Sequence, residues 1–84
     1  MAAVVKVLAF AGARDVIGAT EVDLELAEAP CSTECFMDTL CERYPGLVPY
    51  RRILRVAVNG EYVDAGGGVD DGDEVALIPP VAGG

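Results

Sequence analysis

Apolar and polar residues alternate along several short stretches of this 84-residue chain. The clearest is Glu21–Leu26, where every second residue is aliphatic and the residues between are acidic. This pattern is typical of a strand with one face on a core and the other in water. Residues 4–10 are rich in β-branched side chains and predict an earlier strand. The two stretches predict an opening hairpin whose connection, residues 11–18, contains two glycines.

Helical periodicity follows between residues 33 and 44. Apolar side chains recur there at intervals of three and four, which predicts an amphipathic helix of about three turns. Ser32 or Thr33 is suited to cap its N-terminus, with Glu34 in the first turn, and Pro45-Gly46 ends it. The stripe that faces the core comprises Phe36, Met37, Leu40, Cys41 and Tyr44.

The second half of the chain predicts further strands. Residues 53–58 form one, and Asn59-Gly60 after them strongly favours a type I′ hairpin turn. Residues 61–63 then predict a short partner strand, followed by a glycine-rich loop. Asp71-Gly72-Asp73 predicts a turn into a last strand over residues 74–78.

The resulting order is ββαβββ, with one main helix available to cover one face of a mixed sheet. This order predicts the α+β class and the β-grasp, or ubiquitin-like, fold. We expect a single domain over residues 1–78 and an extended C-terminal tail over residues 79–84. A chain of this length buries only about 60–65% of its surface on folding, so a large catalytic cleft with its own walls is not expected.

Strand phase predicts an apolar group on the face away from the helix. Lys6 in the first strand and Glu74 in the last mark the solvent side of each strand. Phe10 and Ile78 share that side, and Tyr62 on the short strand after the hairpin is placed with them. A cluster of large apolar side chains on an open sheet face indicates a protein interface. The alternative is that they are isolated surface hydrophobes, which are common.

The C-terminal tail carries the second functional hypothesis. Pro79-Pro80 leaves the sheet because proline has no N–H for a ladder. The rest of the tail, Val81-Ala82 and Gly83-Gly84, has no bulky side chain and no charge except the terminal carboxylate. Six extended residues reach about 20 Å, so the tail can enter a narrow channel in a partner. The alternative is a frayed terminus.

Charge narrows the range of partners. The net charge is −8, from 14 acidic and 6 basic residues, which makes nucleic acid a poor partner. Every basic residue lies at or before Arg55, which predicts a negative field beside the tail that steers a basic partner surface. A simple role in solubility is the alternative. The acidic residues after Arg55 are Glu61, Asp64, Asp70, Asp71, Asp73 and Glu74.

The cysteines, Cys31, Cys35 and Cys41, do not predict a site. The chain has no histidine, so a zinc site lacks its usual ligands and a cysteine nucleophile lacks a base. We therefore expect free thiols and no bound metal. Gly66-Gly67-Gly68 lacks the lysine and following helix of a phosphate-binding loop and predicts a structural turn. No apolar run approaches the ~20 residues that span a bilayer. We expect a cytosolic protein without a membrane partner.

The C-terminal sequence D-G-D-E-V-A-L-I-P-P-V-A-G-G, residues 71–84, resembles the end of the small, sulfur-carrying subunits of molybdopterin synthase. The segment from Lys6 to Ala11, followed by Arg14-Asp15 and Gly18, is similar to their N-terminus. The resemblance extends over the whole chain, and its combined ending is narrower than a Gly-Gly end alone. Leu77-Ile78 departs from the pattern, since aromatic residues are common there.

The resemblance implies the ubiquitin-like β-grasp fold and a carrier mechanism. A ubiquitin-activating-like adenylyltransferase and sulfurtransferase uses ATP to adenylate the carboxylate of Gly84, and a sulfur donor converts it to a thiocarboxylate. The tail then enters the large subunit, with which the small subunit forms a heterotetramer, and sulfur passes to cyclic pyranopterin monophosphate. The resemblance thus implies a non-catalytic small subunit of a sulfurtransferase, with no permanently bound cofactor.

The resemblance also assigns the site residues. Gly84 carries the sulfur and Gly83 keeps the tail slim. Phe10, Tyr62 and Ile78 match hydrophobic contact positions, and Arg14 matches a basic position near the interface. A surface ion pair with Asp15 or another acid is the alternative for Arg14. The partner-binding set is Phe10, Arg14, Tyr62, Ile78, Pro79, Pro80, Val81 and Ala82.

Three other functions remain open on the residues. One is a sulfur carrier for thiazole or thiolated tRNA synthesis, which shares the Gly-Gly end. Another is a ubiquitin-like protein modifier, joined to lysines through Gly84. The third is a binding module with an inert tail. The covalent product distinguishes them, because a modifier gives isopeptide adducts and a sulfur carrier gives a free thiocarboxylate.

Overall fold

The computed structural model describes residues 3–64 and 66–79. Its helices are α1 (Ala11–Ile17) and α2 (Thr33–Arg43), with a 3-10 helix over Pro45–Tyr50. Its strands are β1 (Ala3–Ala9), β2 (Glu21–Leu26), β3 (Cys31–Ser32), β4 (Arg55–Val58), β5 (Glu61–Val63), β6 (Gly68–Val69) and β7 (Glu74–Ile78).

The main sheet has five strands in the order β2-β1-β7-β4-β5. The first and last strands of the chain, β1 and β7, pair in parallel at its centre, and the other pairs are antiparallel. A mixed sheet with α2 on one face is the predicted α+β, ubiquitin-like arrangement, so the fold class is confirmed.

The core lies between the sheet and α2, as the alternation predicts. Val5 and Val7 of β1 are fully buried, as are Val75 and Leu77 of β7, whereas the residues between them are not. The helix contributes the apolar stripe predicted from its periodicity, and Phe36 at its centre is 0% exposed. Ser32 caps α2 by accepting a hydrogen bond from the backbone N–H of Cys35, at 3.0 Å.

The connection between β1 and β2 is a helix, which the sequence prediction missed. In α1, Ala13 is buried and Val16 and Ile17 are half-buried against the core. Gly18 closes the helix in a left-handed conformation and donates its N–H to the Arg14 carbonyl at 2.7 Å. Because the helix is only seven residues long and includes a glycine, its periodicity is too short to distinguish it from a loop.

The structure confirms the predicted hairpin and adds two short strands, β3 and β6. Asn59 and Gly60 have φ values of 51° and 87°, the double positive φ of a type I′ turn. The strand before it begins at Arg55, because the residues predicted to open it form turns after the 3-10 helix. The strands β3 and β6 form a separate two-stranded ladder, which was not predicted.

Gly67 shows why the loop after β5 needs a glycine at one position. Its carbonyl accepts the backbone N–H of Thr33 at 2.8 Å and the Thr33 hydroxyl at 3.0 Å, which ties the loop to the start of α2. A Cβ at Gly67 would lie 2.7 Å from the Val63 Cβ, so no larger residue fits. The predicted structural role is confirmed for this glycine. Within the described ranges, no helix is long and apolar enough to cross a bilayer.

Candidate functional site

The face of the main sheet away from α2, the outer face, holds the apolar residues singled out by strand phase. Phe10 is 49% exposed and Tyr62 is 63% exposed, while Ile78 is half-buried. None of the three belongs to the buried core cluster. Strand register places Tyr62 and Ile78 on the side that the alternation predicts, and Phe10, which follows β1, is exposed. Their role in binding a partner stays a prediction.

Strand register aligns an apolar row across the outer face. Leu8 of β1 lies opposite Ala76 of β7, which lies opposite Ala57 of β4. Ala57 in turn lies opposite Tyr62 of β5. The two alanines leave a low centre between the larger side chains at either side. A shallow, mostly apolar surface of this kind suits an interface core, which is depleted in charged residues.

A second row lies where β1 and β7 end, which we call the tail end of the sheet. Ile78 is opposite Arg55, and Phe10 follows directly after β1. The Arg55 guanidinium carbon is 5.9 Å from the centre of the Tyr62 ring, within cation–π range. Sequence reasoning missed Arg55 and Ala57. The signal was present, since the two alternate with the inward-facing Val56 along β4.

Arg14 also lies near the tail end, because α1 follows directly after β1. Its side chain is exposed. Among the described residues, the ion pair that does form joins Arg51 to Asp38 at 2.6 Å, so the alternative of an Arg14–Asp15 pair is not observed. The hydrogen bond that Arg51 donates to the Asp38 carboxylate raises the pKa of Arg51, which keeps this guanidinium charged.

The tail itself is described only at its first residue. Pro79 follows β7 directly and is half-buried. The remaining predicted tail residues, Pro80, Val81, Ala82, Gly83 and Gly84, lie outside the described residues. The predicted reacting group is therefore known by sequence, and the surface from which the tail leaves is known by structure.

Most of the acidic residues after Arg55 lie away from the end of β7, where the tail begins, which corrects the prediction of a negative field beside the tail. The segment 70–74 lies at the start of β7, which rises by about 13 Å before the tail begins. Glu61 lies opposite Val58, also towards that far end. Of the six acids after Arg55, only Asp64 follows a strand that ends at the tail end. Strand direction, and not proximity in sequence, decides where these charges lie.

Several of those acids serve the fold at what we call the turn end, the start of β7 with the Asn59-Gly60 hairpin. The Asp73 carboxylate accepts hydrogen bonds from the Asn59 side chain at 3.0 Å and the Asp70 backbone N–H at 2.8 Å. The Asp71 carboxylate accepts the Val4 N–H at 2.9 Å. These bonds join β1, β4 and β7 at the turn end of the sheet.

The cysteines are free thiols, as predicted. Burial raises the pKa of Cys41; the charge of Arg51 opposes this increase, and the charge of Asp38 adds a smaller one. Burial also raises the pKa of Cys31, and the neighbouring Cys35 adds to the increase. A raised pKa disfavours the thiolate, the nucleophilic form. In the described part of the chain, no three acidic or cysteine residues are grouped as metal ligands.

Comparison with known proteins identifies related sequences. The model of the ThiS family matches residues 7–84. A molybdopterin synthase sulfur carrier subunit of Arabidopsis thaliana is 35% identical over 80 residues, covering 95% of this chain and 82% of that protein. The protein of the same description from Chlamydomonas reinhardtii is 38% identical over 82 residues, covering 95% of this chain and 98% of its own length.

Solved structures with similar folds include two archaeal proteins. Small archaeal modifier protein 1 of H. volcanii superimposes with a TM-score of 0.84 at 26% identity, covering 94% of this chain and 99% of that one. A Pyrococcus furiosus protein described as a putative molybdopterin converting factor, subunit 1, gives a TM-score of 0.82 at 28% identity, with the same coverage.

Proposed function

Since the chain belongs to the ThiS family and, within it, to the molybdopterin synthase sulfur carrier subunits, we propose that it carries sulfur as a thiocarboxylate at Gly84 for molybdenum cofactor biosynthesis. The sulfur acceptor is cyclic pyranopterin monophosphate. The single observation that carries the proposal is the identity of 35% that extends over 95% of the chain to a protein of that description. The Gly-Gly end and the open apolar face beside it support it.

The chain supplies the carboxylate of Gly84, and other proteins must supply the groups that activate it. A carboxylate is a poor electrophile, so Gly84 must first gain a better leaving group. ATP, bound by the activating enzyme, supplies it: the carboxylate becomes an acyl adenylate, pyrophosphate leaves, and AMP leaves when sulfur is delivered. The thiocarboxylate sulfur is ionised near neutral pH and polarisable, which makes it a competent nucleophile by analogy with thiolates.

The catalytic groups belong to the partner in this proposal. The chain has no histidine, and burial keeps Cys31 and Cys41 in the neutral form. The large subunit of the synthase supplies the acid–base groups and the walls of the site, and the two subunits form a heterotetramer. The small subunit contributes the sulfur, the slim tail formed by residues 79–84, and a docking surface.

The docking surface is the outer face at the tail end. Phe10, Tyr62 and Ile78 provide its apolar contacts, and Arg14 adds a charge at its border. The same face serves the activating enzyme, because both partners must bind close to the point where the tail leaves. A cytosolic location fits the three free thiols, since thiols stay reduced in that compartment.

The test is intact mass after incubation with an activating enzyme of the family, ATP and a sulfur donor. We expect a gain equal to replacement of one oxygen by sulfur, located at Gly84 by fragmentation. The control variant lacks Gly84; we expect its sulfur transfer to fall at least about 100-fold with unchanged unfolding, because the shortened tail misplaces the reacting carbonyl. No mass gain, with the enzyme active on a known carrier, would refute the proposal.

A protein modifier is the second candidate, favoured by the TM-score of 0.84 to a small archaeal modifier protein. It predicts a different product from the same activated terminus: an amide to a lysine Nζ with loss of AMP. Denaturing electrophoresis of a cell extract containing tagged protein and ATP distinguishes the two. Adducts that survive reducing agent and end in a Gly84 isopeptide would favour the modifier.

A further inference from the structure

A pocket of about 350 Å³ opens at the edge of β5, beside the outer face. It lies between the start of α2, the turn that precedes β4, and the β5 edge strand. Its floor is apolar, since Met37 and Val56 are buried and Leu54 and Val63 are half-buried. Tyr62 forms part of its wall and also belongs to the apolar row of the outer face. The pocket is therefore continuous with the proposed docking surface.

Two arginines line the pocket, and they differ in whether a carboxylate of this chain already pairs with them. The Arg51 guanidinium is held by the Asp38 carboxylate at 2.6 Å and donates to the Glu34 carbonyl at 3.2 Å, so it is committed to the fold. Arg55 is exposed and stacks on Tyr62. Within residues 3–64 and 66–79, no carboxylate lies within 4.0 Å of the Arg55 guanidinium. It presents a positive charge on a chain whose net charge is −8.

We propose that this pocket receives an apolar side chain of the large subunit, from a segment that also carries a carboxylate for Arg55. Met37, Leu54, Val56 and Val63 provide the apolar contacts. The Arg55 fork pairs with the carboxylate in the bidentate geometry that guanidinium favours. Tyr62 belongs both to the pocket wall and to the outer face, so the two contact sites are continuous. The inference rests on the proposed function for the identity of the partner and adds a second contact site to it.

The occupant follows from charge and shape. A polar segment would bury its polar groups against the apolar floor without hydrogen-bond partners. A basic segment would place a second positive charge beside Arg55, and interfaces avoid such like-charge contacts. A pocket of this size accepts one large aliphatic or aromatic side chain, the kind of anchor that carries most binding energy at interfaces. Sequence analysis did not find the pocket because its walls come from four separate elements.

The first test is charge reversal at Arg55. We expect Arg55→Glu to weaken binding of the large subunit at least about tenfold, because two carboxylates then face each other. The matched control is Arg52→Glu, which makes the same charge reversal at an exposed residue that does not line the pocket. We expect the control to change the affinity less than about threefold, since it acts only through screened long-range charge.

The second test places a photo-crosslinker on α2. Glu34 lines the pocket, and Glu42 lies on the same helix but away from it; both are exposed. Each is replaced by benzoylphenylalanine, and the complex is irradiated and analysed by mass spectrometry. We expect the probe at Glu34 to give a crosslink to a segment of the large subunit that contains Asp or Glu beside an apolar residue. We expect no crosslink from the probe at Glu42.

The outcomes separate this inference from the proposed function. If wild-type chain and large subunit do not associate, the proposed function and this inference both fail. If Phe10→Ala weakens binding while Arg55→Glu behaves like Arg52→Glu, the outer face is an interface and the pocket is not. A crosslink from Glu34 to a basic segment would also overturn the inference. Unfolding midpoints of all variants are compared with wild type to exclude loss of fold.

Discussion

The two ends of β7 use polar and apolar residues in opposite ways. At the turn end, charged and amide side chains point into hydrogen bonds with backbone and with one another, through Asp71, Asp73 and Asn59. At the tail end, Phe10 and Arg55 point into solvent. Polar residues hold the fold where the sheet turns, and apolar residues are left exposed where the tail leaves. The proposed docking surface therefore lies at the tail end, where large side chains are exposed.

The largest expected effect is on stability, and it compares the core with the outer face through the two phenylalanines of the chain. Phe36 is 0% exposed and Phe10 is 49% exposed. We expect Phe36→Ala to lower the free energy of unfolding by about 3–5 kcal/mol, because it removes buried area and leaves a cavity. We expect Phe10→Ala to lower it by less than about 1 kcal/mol. Urea unfolding measures both, and equal losses would place Phe10 in the core.

The second prediction concerns binding at the tail end. We expect Phe10→Ala to cost about 2 kcal/mol or more in affinity for the large subunit, the size of a hot-spot residue. Val48→Ala is the control, since Val48 is also an exposed hydrophobe but lies on the 3-10 helix. Calorimetric titration of the two variants gives the comparison. A larger loss for Val48→Ala would move the interface away from the outer face.

The third prediction tests whether the turn end is structural. Asp73→Ala removes hydrogen bonds to the Asn59 side chain and the Asp70 backbone. We expect the free energy of unfolding to fall by about 2 kcal/mol, because hydrogen bonds to a charged group contribute more than neutral ones. Glu25→Ala is the control, an exposed acid whose side chain makes no hydrogen bond within the described ranges. Thermal unfolding compares them, and similar midpoints would contradict the assignment.

The smallest expected effect concerns electrostatic steering. Glu74 is exposed at the turn end, about 13 Å from the tail, which exceeds the Debye length of about 8 Å at physiological salt. We expect Glu74→Gln to change the rate of association with the large subunit by less than about twofold. Stopped-flow measurements at two salt concentrations test this. A strong, salt-dependent change would restore the idea that the acidic segment steers the partner.

Local patterns were sufficient for the main elements. The alternation in β2 and β7, the stripe of α2 and the Asn59-Gly60 turn are each contained in a few consecutive residues, so the sequence predicts them directly. The elements missed are α1, the 3-10 helix and the β3–β6 ladder, and all of them are short. Seven residues cover only about two helical turns and do not establish a helical period, and two-residue strands form only because distant backbone meets them.

The candidate site divides in the same way. Strand phase was enough to place Phe10, Tyr62 and Ile78 on one face, because side chains alternate strictly along a strand. Arg55 was counted with the basic first part of the chain, yet antiparallel pairing of β4 with β7 brings it beside the tail. The acidic segment was placed beside the tail for the converse reason, since residues near in sequence are separated by the length of a strand.

By itself, the sequence determined the fold class, the inner and outer faces of the strands, and the chemical character of the tail, because each depends on composition or on a short period. Tertiary structure alone decided which charges share an end of the sheet and that four elements enclose a pocket beside Arg55. Both depend on strand order and direction, which bring together residues that are far apart in the chain.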